Sequence, residues 1–317
     1  MRIGLTYNLK PEGADGDRYE EFDSIETIEA LESALRNAGY DPVRLGWGIP
    51  MLEKLDGVQA VFNLAEGIGG RGRESQVPAT LEMLGVRCTG SDPVAIGITL
   101  DKALAKLLAK AHGIATAPWI VVGGGQAILP VRTDKIVCPA LRFPLFVKPS
   151  CEGSSMGVTK KSLCHSEAEL DETIASVRQY GPVLVEEFLP GDEYTVGILG
   201  GKVIGVMQVV PKNSHDNWFY SIEEKRDYTR RVEYRIVDEP DVAQVAVDIW
   251  NAFGLRDVAR VDVRCDRDGV PNFVEVNPLP GVHPVNSDLV ILAKGVGWTY
   301  DQLIAGIMKS AEERWAA

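Results

Sequence analysis

The chain has 317 residues, of which 45% are hydrophobic and 25% are charged. Its 33 lysines and arginines stand against 45 aspartates and glutamates, which gives a formal net charge of −12 at pH 7. A chain of this length can bury a large core in two or three compact units, and its charge argues against nucleic acid or an anionic membrane as a partner. A small phosphate ligand in a local basic pocket is compatible with the same charge.

The cysteines and the apolar stretches indicate a cytoplasmic protein. The five cysteines are scattered and contain no C-x-x-C pair, so neither a disulfide framework nor a structural zinc site is expected. Residues 1–9 are too short and interrupted for the apolar region of a signal peptide. The longest uncharged stretch, residues 113–131, contains two prolines and three consecutive glycines and is not expected to cross a membrane.

The first hundred residues alternate between strand and helix patterns, which predicts a parallel sheet with helices on its faces. The predicted elements are a strand over 2–8, a helix that begins at Asp23 with Glu26 as capping-box partner, a buried strand over 58–64 and a helix over 76–84. Ligands of such sheets bind beyond the carboxyl ends of the strands, so a site is expected near Tyr7 and Asn8 and near residues 63–66, which end with Glu66.

From residue 100 onward the pattern changes to one helix followed by strands with tight turns. The predicted elements are a helix over 100–111, strands over 145–148 and 183–187, a hairpin over 194–210 and a last hairpin over 258–276 that turns at 266–269. We expect three domains, over residues 1–96, 97–184 and 185–317.

The last hairpin carries the strongest chemical signal. Side chains alternate along a strand, so Arg260 and Asp262 are expected on one face, as are Phe273, Glu275 and Asn277. The predicted turn pairs Asp262 with Phe273 and places Glu275 on the diagonal, about 7–8 Å away between alpha carbons. Such carboxylate and amide oxygens can bind hard cations that bridge phosphates. A polar, solvent-facing strand surface is the alternative.

A second signal is the glycine- and serine-rich run of residues 152–158, which directly follows a strand ending at Lys148. Glycines allow backbone N–H groups to approach phosphate oxygens, and the lysine adds a positive charge. The run matches neither G-x-x-x-x-G-K-[ST] nor G-x-G-x-x-G, and an ordinary turn is the alternative. Residues 186–193 join two strands. Their backbone could contact adenine and one of their carboxylates could bind ribose; the alternative is an acidic turn on the surface.

Taken together and in this order, these segments resemble the D-alanine–D-alanine ligases of the ATP-grasp superfamily. The matching segments are 146–158 for the phosphate loop, 185–196 for the adenosine hinge, 260–262 with 275–281 for the magnesium strands, and 88–91 and 101–102. The resemblance covers nearly the whole chain. It implies a mixed α/β (α+β) protein with the ATP-grasp fold: an N-terminal parallel α/β domain, then two α+β subdomains that sandwich ATP.

The resemblance also implies roles for individual residues. The implied ATP-binding residues are Lys102, Lys148, Gly153, Ser154, Ser155, Met156, Gly157, Glu186, Glu187, Phe188, Leu189, Glu193 and Val274. The implied ligands of two magnesium ions, with manganese as the alternative, are Asp262, Glu275 and Asn277. The implied catalytic residues are Arg260, Ser154, Lys225, Arg226 and Glu20, and the implied substrate contacts are Gly281, His283 and Ser287. Arg260 would stabilise an acyl phosphate and a tetrahedral intermediate through its fixed donor fork.

Several substrate positions depart from the family pattern. Arg226 stands where the family has a tyrosine after Lys225, and its guanidinium is suited to a carboxylate on a larger or more acidic substrate, a solvent-facing residue being the alternative. Glu20 lies opposite the amine-binding glutamate, with Glu21 beside it, and a charged lead-in to the helix is the alternative for both. His283 is either an acceptor contact or a structural residue.

The resemblance implies an ATP- and magnesium-dependent carboxylate–amine ligase that forms a dipeptide or related amide through an acyl phosphate and releases ADP and phosphate. The departures favour a substrate other than D-alanine. A phosphotransferase and an ATP-binding sensor without turnover are the alternatives. The expected partners are small amino acids or carboxylates and, by the resemblance, a second copy of the chain in a homodimer.

Overall fold

The computed structural model describes residues 1–11, 13, 19–123, 141–153, 155–212, 218–219 and 227–317. The described residues form three sheets. Among their helices, none combines the length and the apolar character that crossing a bilayer requires.

The N-terminal part is a parallel sheet with helices, as predicted. Its elements are β1 (Arg2–Thr6), α1 (Ile25–Asn37), β2 (Asp41–Gly46), α2 (Ile49–Glu53), β3 (Ala60–Asn63), α3 (Gln76–Met83) and β4 (Arg87–Cys88). The strands have the order β2-β1-β3-β4, and every pair is parallel. Ile3 and Leu5 of β1 pack on the apolar stripe of α1 around Leu31, and this cluster positions the carboxyl ends of β1 and β3.

The start of α1 differs from the prediction. Ser24 is the N-cap, and its hydroxyl accepts a hydrogen bond from the Thr27 amide at 3.3 Å. Asp23 cannot take this position because its backbone pairs with the segment before it, donating to the Asn8 carbonyl at 2.9 Å. Glu26 accepts from the Ser24 hydroxyl at 3.1 Å instead of closing a capping box on Asp23.

The middle part begins with two helices where one was predicted. Its elements are α4 (Pro93–Leu100), α5 (Lys102–Ala111), β5 (Trp119–Val122), β6 (Leu145–Pro149), β7 (Leu163–Cys164), α6 (Glu167–Val177) and β8 (Val183–Glu187). Asp101 separates the helices, and its carboxylate caps α5 by accepting from the Ala103 amide at 3.1 Å. The strands form an antiparallel sheet in the order β5-β8-β6-β7.

The C-terminal part contains a five-stranded antiparallel sheet in the order β11-β10-β9-β12-β13. Its elements are β9 (Glu193–Leu199), β10 (Lys202–Pro211), α7 (Tyr228–Arg231), β11 (Val232–Val237), α8 (Pro240–Phe253), β12 (Val258–Cys265), β13 (Pro271–Asn277), α9 (Asp288–Gly295) and α10 (Tyr300–Ala316). Ile249 of α8 and Val261 of β12 belong to one buried core, while Ile307 of α10 shares a core with α1. The last part of the chain is therefore packed against the first.

The register of the β12–β13 hairpin differs from the prediction. Asp262 pairs directly with Glu275, and Val263 pairs with Phe273, so Val274 is the extra residue of a β-bulge. The bulge rotates Phe273 into the core with Val276, away from the face that carries Glu275. Two of the three predicted magnesium ligands, Asp262 and Glu275, are therefore opposite each other, a closer arrangement than the predicted diagonal.

Candidate active site

An open cleft of about 930 Å³ runs between the middle and the C-terminal sheets. Most of the predicted ATP-binding residues line it: Lys102, Lys148, Ser155, Met156, Glu186, Glu187, Phe188, Leu189, Glu193 and Val274. They come from the start of α5, from β6 and its following loop, from the connection between β8 and β9, and from β13. Ser154, Lys225 and Arg226 lie outside the described residues.

Aromatic rings form one wall of the cleft. The ring centroids of Phe146 and Phe188 are 6.3 Å apart, and those of Phe146 and Phe219 are 4.9 Å apart in an edge-to-face arrangement. The guanidinium of Arg264 lies over Phe188 at 4.7 Å and donates to the Glu193 carboxylate at 2.8 Å. Sequence reasoning gave no role to Phe146, although strand alternation places it on the same face as Lys148.

Glu186 lies at the centre of a buried charge cluster in this cleft. Its carboxylate accepts from Lys148 at 2.6 Å on one oxygen and from Lys106 at 2.6 Å on the other. Burial alone would raise the pKa of Glu186, but the two ammonium groups, Lys106 first, lower it to about 2. Sequence reasoning did not find Lys106, which lies one helical turn after the predicted phosphate ligand Lys102.

The predicted magnesium ligands lie among cations at the edge of the cleft. The Asp262 carboxylate accepts from Thr195 at 2.8 Å and from Arg260 at 3.0 Å, and the Glu275 carboxylate is 3.4 Å from the ammonium of Lys102. Burial alone would lower the pKa of Arg260, but nearby carboxylates, Asp262 first, raise it. Lys102 also donates to the Glu152 carbonyl at 2.5 Å, which ties α5 to the phosphate loop.

The donors at this edge fit a hard divalent cation. Asp262 and Glu275 face each other across two strands, and the side chain of Asn277 follows Glu275 at the end of β13. All three offer oxygen, the donor that magnesium prefers. Asp288, which sequence reasoning missed, is a third carboxylate here, 3.5 Å from the guanidinium of Arg260.

A second cavity, of about 1890 Å³, adjoins the cleft. The two share Lys102, Glu275 and Asp288 in their linings. Arg260, Glu20, Gly153, Asn277, Gly281, His283 and Ser287, all predicted from the sequence, line the second cavity.

The second cavity is rich in carboxylates. Burial raises the pKa of Asp23 to about 7, and burial together with neighbouring glutamates raises the pKa of Glu74 to about 7 and that of Glu66 well above its usual value. The sequence predicted a ligand site near residues 63–66, which include Glu66, and gave no role to Glu74. At neutral pH these raised pKa values leave Glu66 protonated and Asp23 and Glu74 partly protonated, so the three groups add less negative charge to the cavity than their number suggests.

Glu21, beside the predicted Glu20, links the N-terminal domain to the phosphate loop. Its carboxylate accepts from Arg73 at 2.8 and 2.9 Å, and Arg73 also donates to the Cys151 carbonyl at 2.8 Å. Glu20 lines the same cavity, with Lys10 4.0 Å from its carboxylate. Arg73 was not predicted, and no local pattern distinguishes it.

The predicted substrate contacts form a compact turn before α9. The Ser287 hydroxyl accepts from the His283 amide at 2.8 Å, and a Cβ on Gly281 would lie 3.0 Å from that hydroxyl. Nδ1 of His283 accepts from the Val285 amide at 3.1 Å, so this ring nitrogen is occupied by the turn. Nε2 lies 3.9 Å from the Glu26 carboxylate at the cavity.

Comparisons with known proteins identify the family of the chain. A family model described as the D-ala D-ala ligase C-terminus matches residues 108–309. A D-alanine–D-alanine ligase of Actinobacillus pleuropneumoniae is 34% identical over 292 residues, which are 90% of this chain and 92% of the relative. One from Aquifex aeolicus is 31% identical over 291 residues, 90% of this chain and 94% of the relative.

Solved structures share the fold over the whole chain. The crystal structure of the D-alanine–D-alanine ligase from Bacillus anthracis complexed with ATP superposes with a TM-score of 0.77 at 24% identity, covering 99% of this chain and 98% of that one. VanG D-Ala:D-Ser ligase from Enterococcus faecalis has a TM-score of 0.73 at 20% identity, covering 98% and 99%. The ATP-grasp fold expected from the sequence is confirmed, and the chain belongs to the D-alanine–D-alanine ligase family.

Proposed function

We propose that the protein is an ATP-dependent ligase that joins the carboxylate of one amino acid or small carboxylic acid to the amine of another. The observation that carries the proposal is the junction of the two cavities at Lys102, Glu275 and Asp288. A nucleotide bound in the cleft places its terminal phosphate at this junction, where a substrate in the second cavity can reach it.

In the proposed reaction, a substrate carboxylate oxygen forms a bond to the γ-phosphorus while the bond to the bridging oxygen of ADP breaks. The amine of the second substrate then attacks the acyl carbon, phosphate leaves, and the amine loses a proton. Lys102 and Lys148 offset the phosphate charge, and Arg260, buried beside Asp262, donates to the oxygen that gains charge at the acyl carbon. Magnesium would be held by Asp262, Glu275 and Asn277 and would neutralise phosphate charge.

The carboxylates of the second cavity support a substrate that carries an amine. Glu20 and Glu21 line it and would attract an ammonium group, while Arg260 would favour a carboxylate in the same cavity. The relatives named D-alanine–D-alanine ligase make dipeptide synthesis the first reaction to test. Because Arg226 stands where the family has a tyrosine, we include acidic and larger amino acids in the proposal.

The remaining parts of the proposal rest on the sequence pattern and on the family resemblance. They are the three domains over residues 1–96, 97–184 and 185–317, the roles given above to individual residues, manganese as a second usable ion, a homodimer and a cytoplasmic location. The charge of −12 supports small molecules, rather than a polyanion, as the partners.

The test is phosphate release from ATP in the presence of magnesium and pairs of D- and L-amino acids or small carboxylates, with the product identified by mass. An amide that forms only when both partners are present supports the proposal. A phosphorylated product from one partner indicates a phosphotransferase instead. Nucleotide binding without turnover across the panel would refute the ligase proposal.

The matched variants lie on one hairpin. Glu275→Gln removes a carboxylate at the junction, and we expect turnover to fall by about a hundredfold or more, as for other electrostatic groups that act on the transition state. Asp268→Asn removes an exposed carboxylate at the turn of the same hairpin, and we expect no effect. Full magnesium-dependent activity in the Glu275 variant would refute the proposed metal site.

A further inference from the structure

Lys106 on α5 is a charged side chain with no role in the reaction described above. It is fully buried, with 0% of its surface exposed. Its ammonium donates to the Glu186 carboxylate at 2.6 Å and to the Thr116 hydroxyl at 2.7 Å, and it lies 5.3 Å from the ring centroid of Trp119. Burying an ammonium group lowers the free energy of unfolding unless the group is paired, so the burial of Lys106 depends on its contact with Glu186.

Two cations share the single carboxylate of Glu186. Lys148 holds one oxygen and Lys106 the other, and all three side chains are at least nine-tenths buried. The two lysines differ in their access to the cleft, because Lys148 lines it whereas Lys106 does not reach the surface. The two lysines carry one positive charge more than Glu186 neutralises. Lys148, which lines the cleft, is the one that can turn to an anionic ligand.

Lys106 is also anchored to the strand that carries the predicted metal ligands. The Thr116 hydroxyl that accepts from Lys106 donates to the Phe273 carbonyl at 2.8 Å. The Phe273 amide in turn donates to the Ala115 carbonyl at 2.8 Å. Lys106 is therefore held in place on two sides, by β8 through Glu186 and by β13 through Thr116.

The two lysines differ in whether they can leave Glu186. If Lys148 turns to the phosphates, Glu186 keeps a partner only because Lys106 stays. Without Lys106, the same movement would leave a buried carboxylate with no counter-charge, and Lys148 would be held away from the phosphates. With both lysines in contact the pKa of Glu186 is lowered to about 2, so the carboxylate that Lys106 holds is ionised at neutral pH.

We propose that Lys106 is a positioning residue of the nucleotide site, which keeps Glu186 paired and so releases Lys148 for the phosphates. This inference rests on the proposed function, since it requires that the cleft binds ATP. Lys106 itself touches neither the nucleotide nor a substrate, and it acts through Glu186.

The experiment measures direct binding of a non-hydrolysable ATP analogue with magnesium by titration calorimetry, which requires no knowledge of the substrates. We expect Lys106→Met to weaken binding by about tenfold or more, because one partner of a buried charge pair is removed. In a Glu186→Gln background the same substitution removes a cation that has no anion to hold, and we expect a change of less than about threefold.

The matched control is Lys110→Met, one turn later on α5. Lys110 also lies near the Trp119 ring, at 5.8 Å from its centroid, but it is exposed. We expect its affinity for the analogue to equal that of the wild type. In turnover assays, Lys106→Met should raise KM for ATP and leave KM for the other substrates unchanged, a split that a general loss of folding would not give.

A second variant covers the case in which Lys106→Met does not fold. Thr116→Val removes the hydroxyl that anchors Lys106 without changing any charge. We expect it to weaken binding of the analogue in the wild-type background and to leave binding unchanged in the Glu186→Gln background. Wild-type affinity in both variants would overturn the inference, as would equal losses in both backgrounds. A wild-type protein that does not bind the analogue at all would refute the proposed function itself, whereas binding without the predicted coupling refutes the inference alone.

Discussion

Gly153 lies where the predicted phosphate loop meets the N-terminal part of the chain, and we expect its replacement by alanine to break that contact. A Cβ at this position would lie 2.2 Å from Oε1 of Glu21, well inside contact distance. The φ of Gly153 lies outside the left-handed region, so the backbone itself accepts alanine. The cost of Gly153→Ala therefore comes from the displaced carboxylate alone.

The magnitude follows from the bonds that Glu21 makes. Its two oxygens accept from one nitrogen of Arg73 at 2.8 and 2.9 Å, and the side chains are 11% and 7% exposed. If the carboxylate moves, Arg73 keeps Glu152 at 3.6 Å and Glu74 at 3.7 Å, so it is not left without a counter-charge. We expect a loss of about 1.5–3 kcal/mol in the free energy of unfolding, the value of one hydrogen bond to a charged group.

Urea unfolding of the wild type, Gly153→Ala, Glu21→Ala and the double variant measures this effect. In the Glu21→Ala background the added methyl group meets no carboxylate, so the second substitution should cost less than about 0.5 kcal/mol. Gly72→Ala is the control, because a Cβ there meets no atom within 4 Å. Equal costs of Gly153→Ala in both backgrounds would refute the reasoning.

Three further predictions concern stability. Asp257 has a φ of +59°, which asparagine also accepts, so Asp257→Asn removes only the charge that Arg314 contacts at 2.7 Å. We expect the free energy of unfolding in urea to fall by about 1.5–3 kcal/mol, and an unchanged midpoint would contradict this. Because the pKa of Glu74 is raised to about 7, the native state binds the extra proton and loses stability as pH rises from about 4.5 to 7. Glu74→Gln should therefore raise the melting temperature at pH 8 more than at pH 4.5, and an equal rise at both would count against this pKa. Phe273→Ala should cost about 3–5 kcal/mol, because its ring is fully buried, and a loss below 1 kcal/mol would place the ring outside the core.

Local sequence patterns were sufficient for much of the fold and part of the site. The strands Val183–Glu187 and Val258–Cys265 have the predicted bounds, because short β-branched runs between turn residues are recognisable without their partners. The oxygen donors Asp262 and Glu275 were found in the same way, since their spacing on a hairpin is a local property. The parallel N-terminal sheet followed from alternating strand and helix signals.

Other features depend on contacts between distant parts of the chain. The bulge at Val274 sets the pairing of Asp262 with Glu275 and leaves Phe273 in the core under β13, which alternation along one strand cannot reveal. Lys106 and Glu186 are 80 positions apart and become partners only when α5 packs against β8. The sequence by itself identified candidate side chains such as Lys148, Asp262 and Glu275, because their local motifs are recognisable without the fold. Which of these charges neutralise one another was decided only by the tertiary structure, because burial and pairing are properties of packed elements.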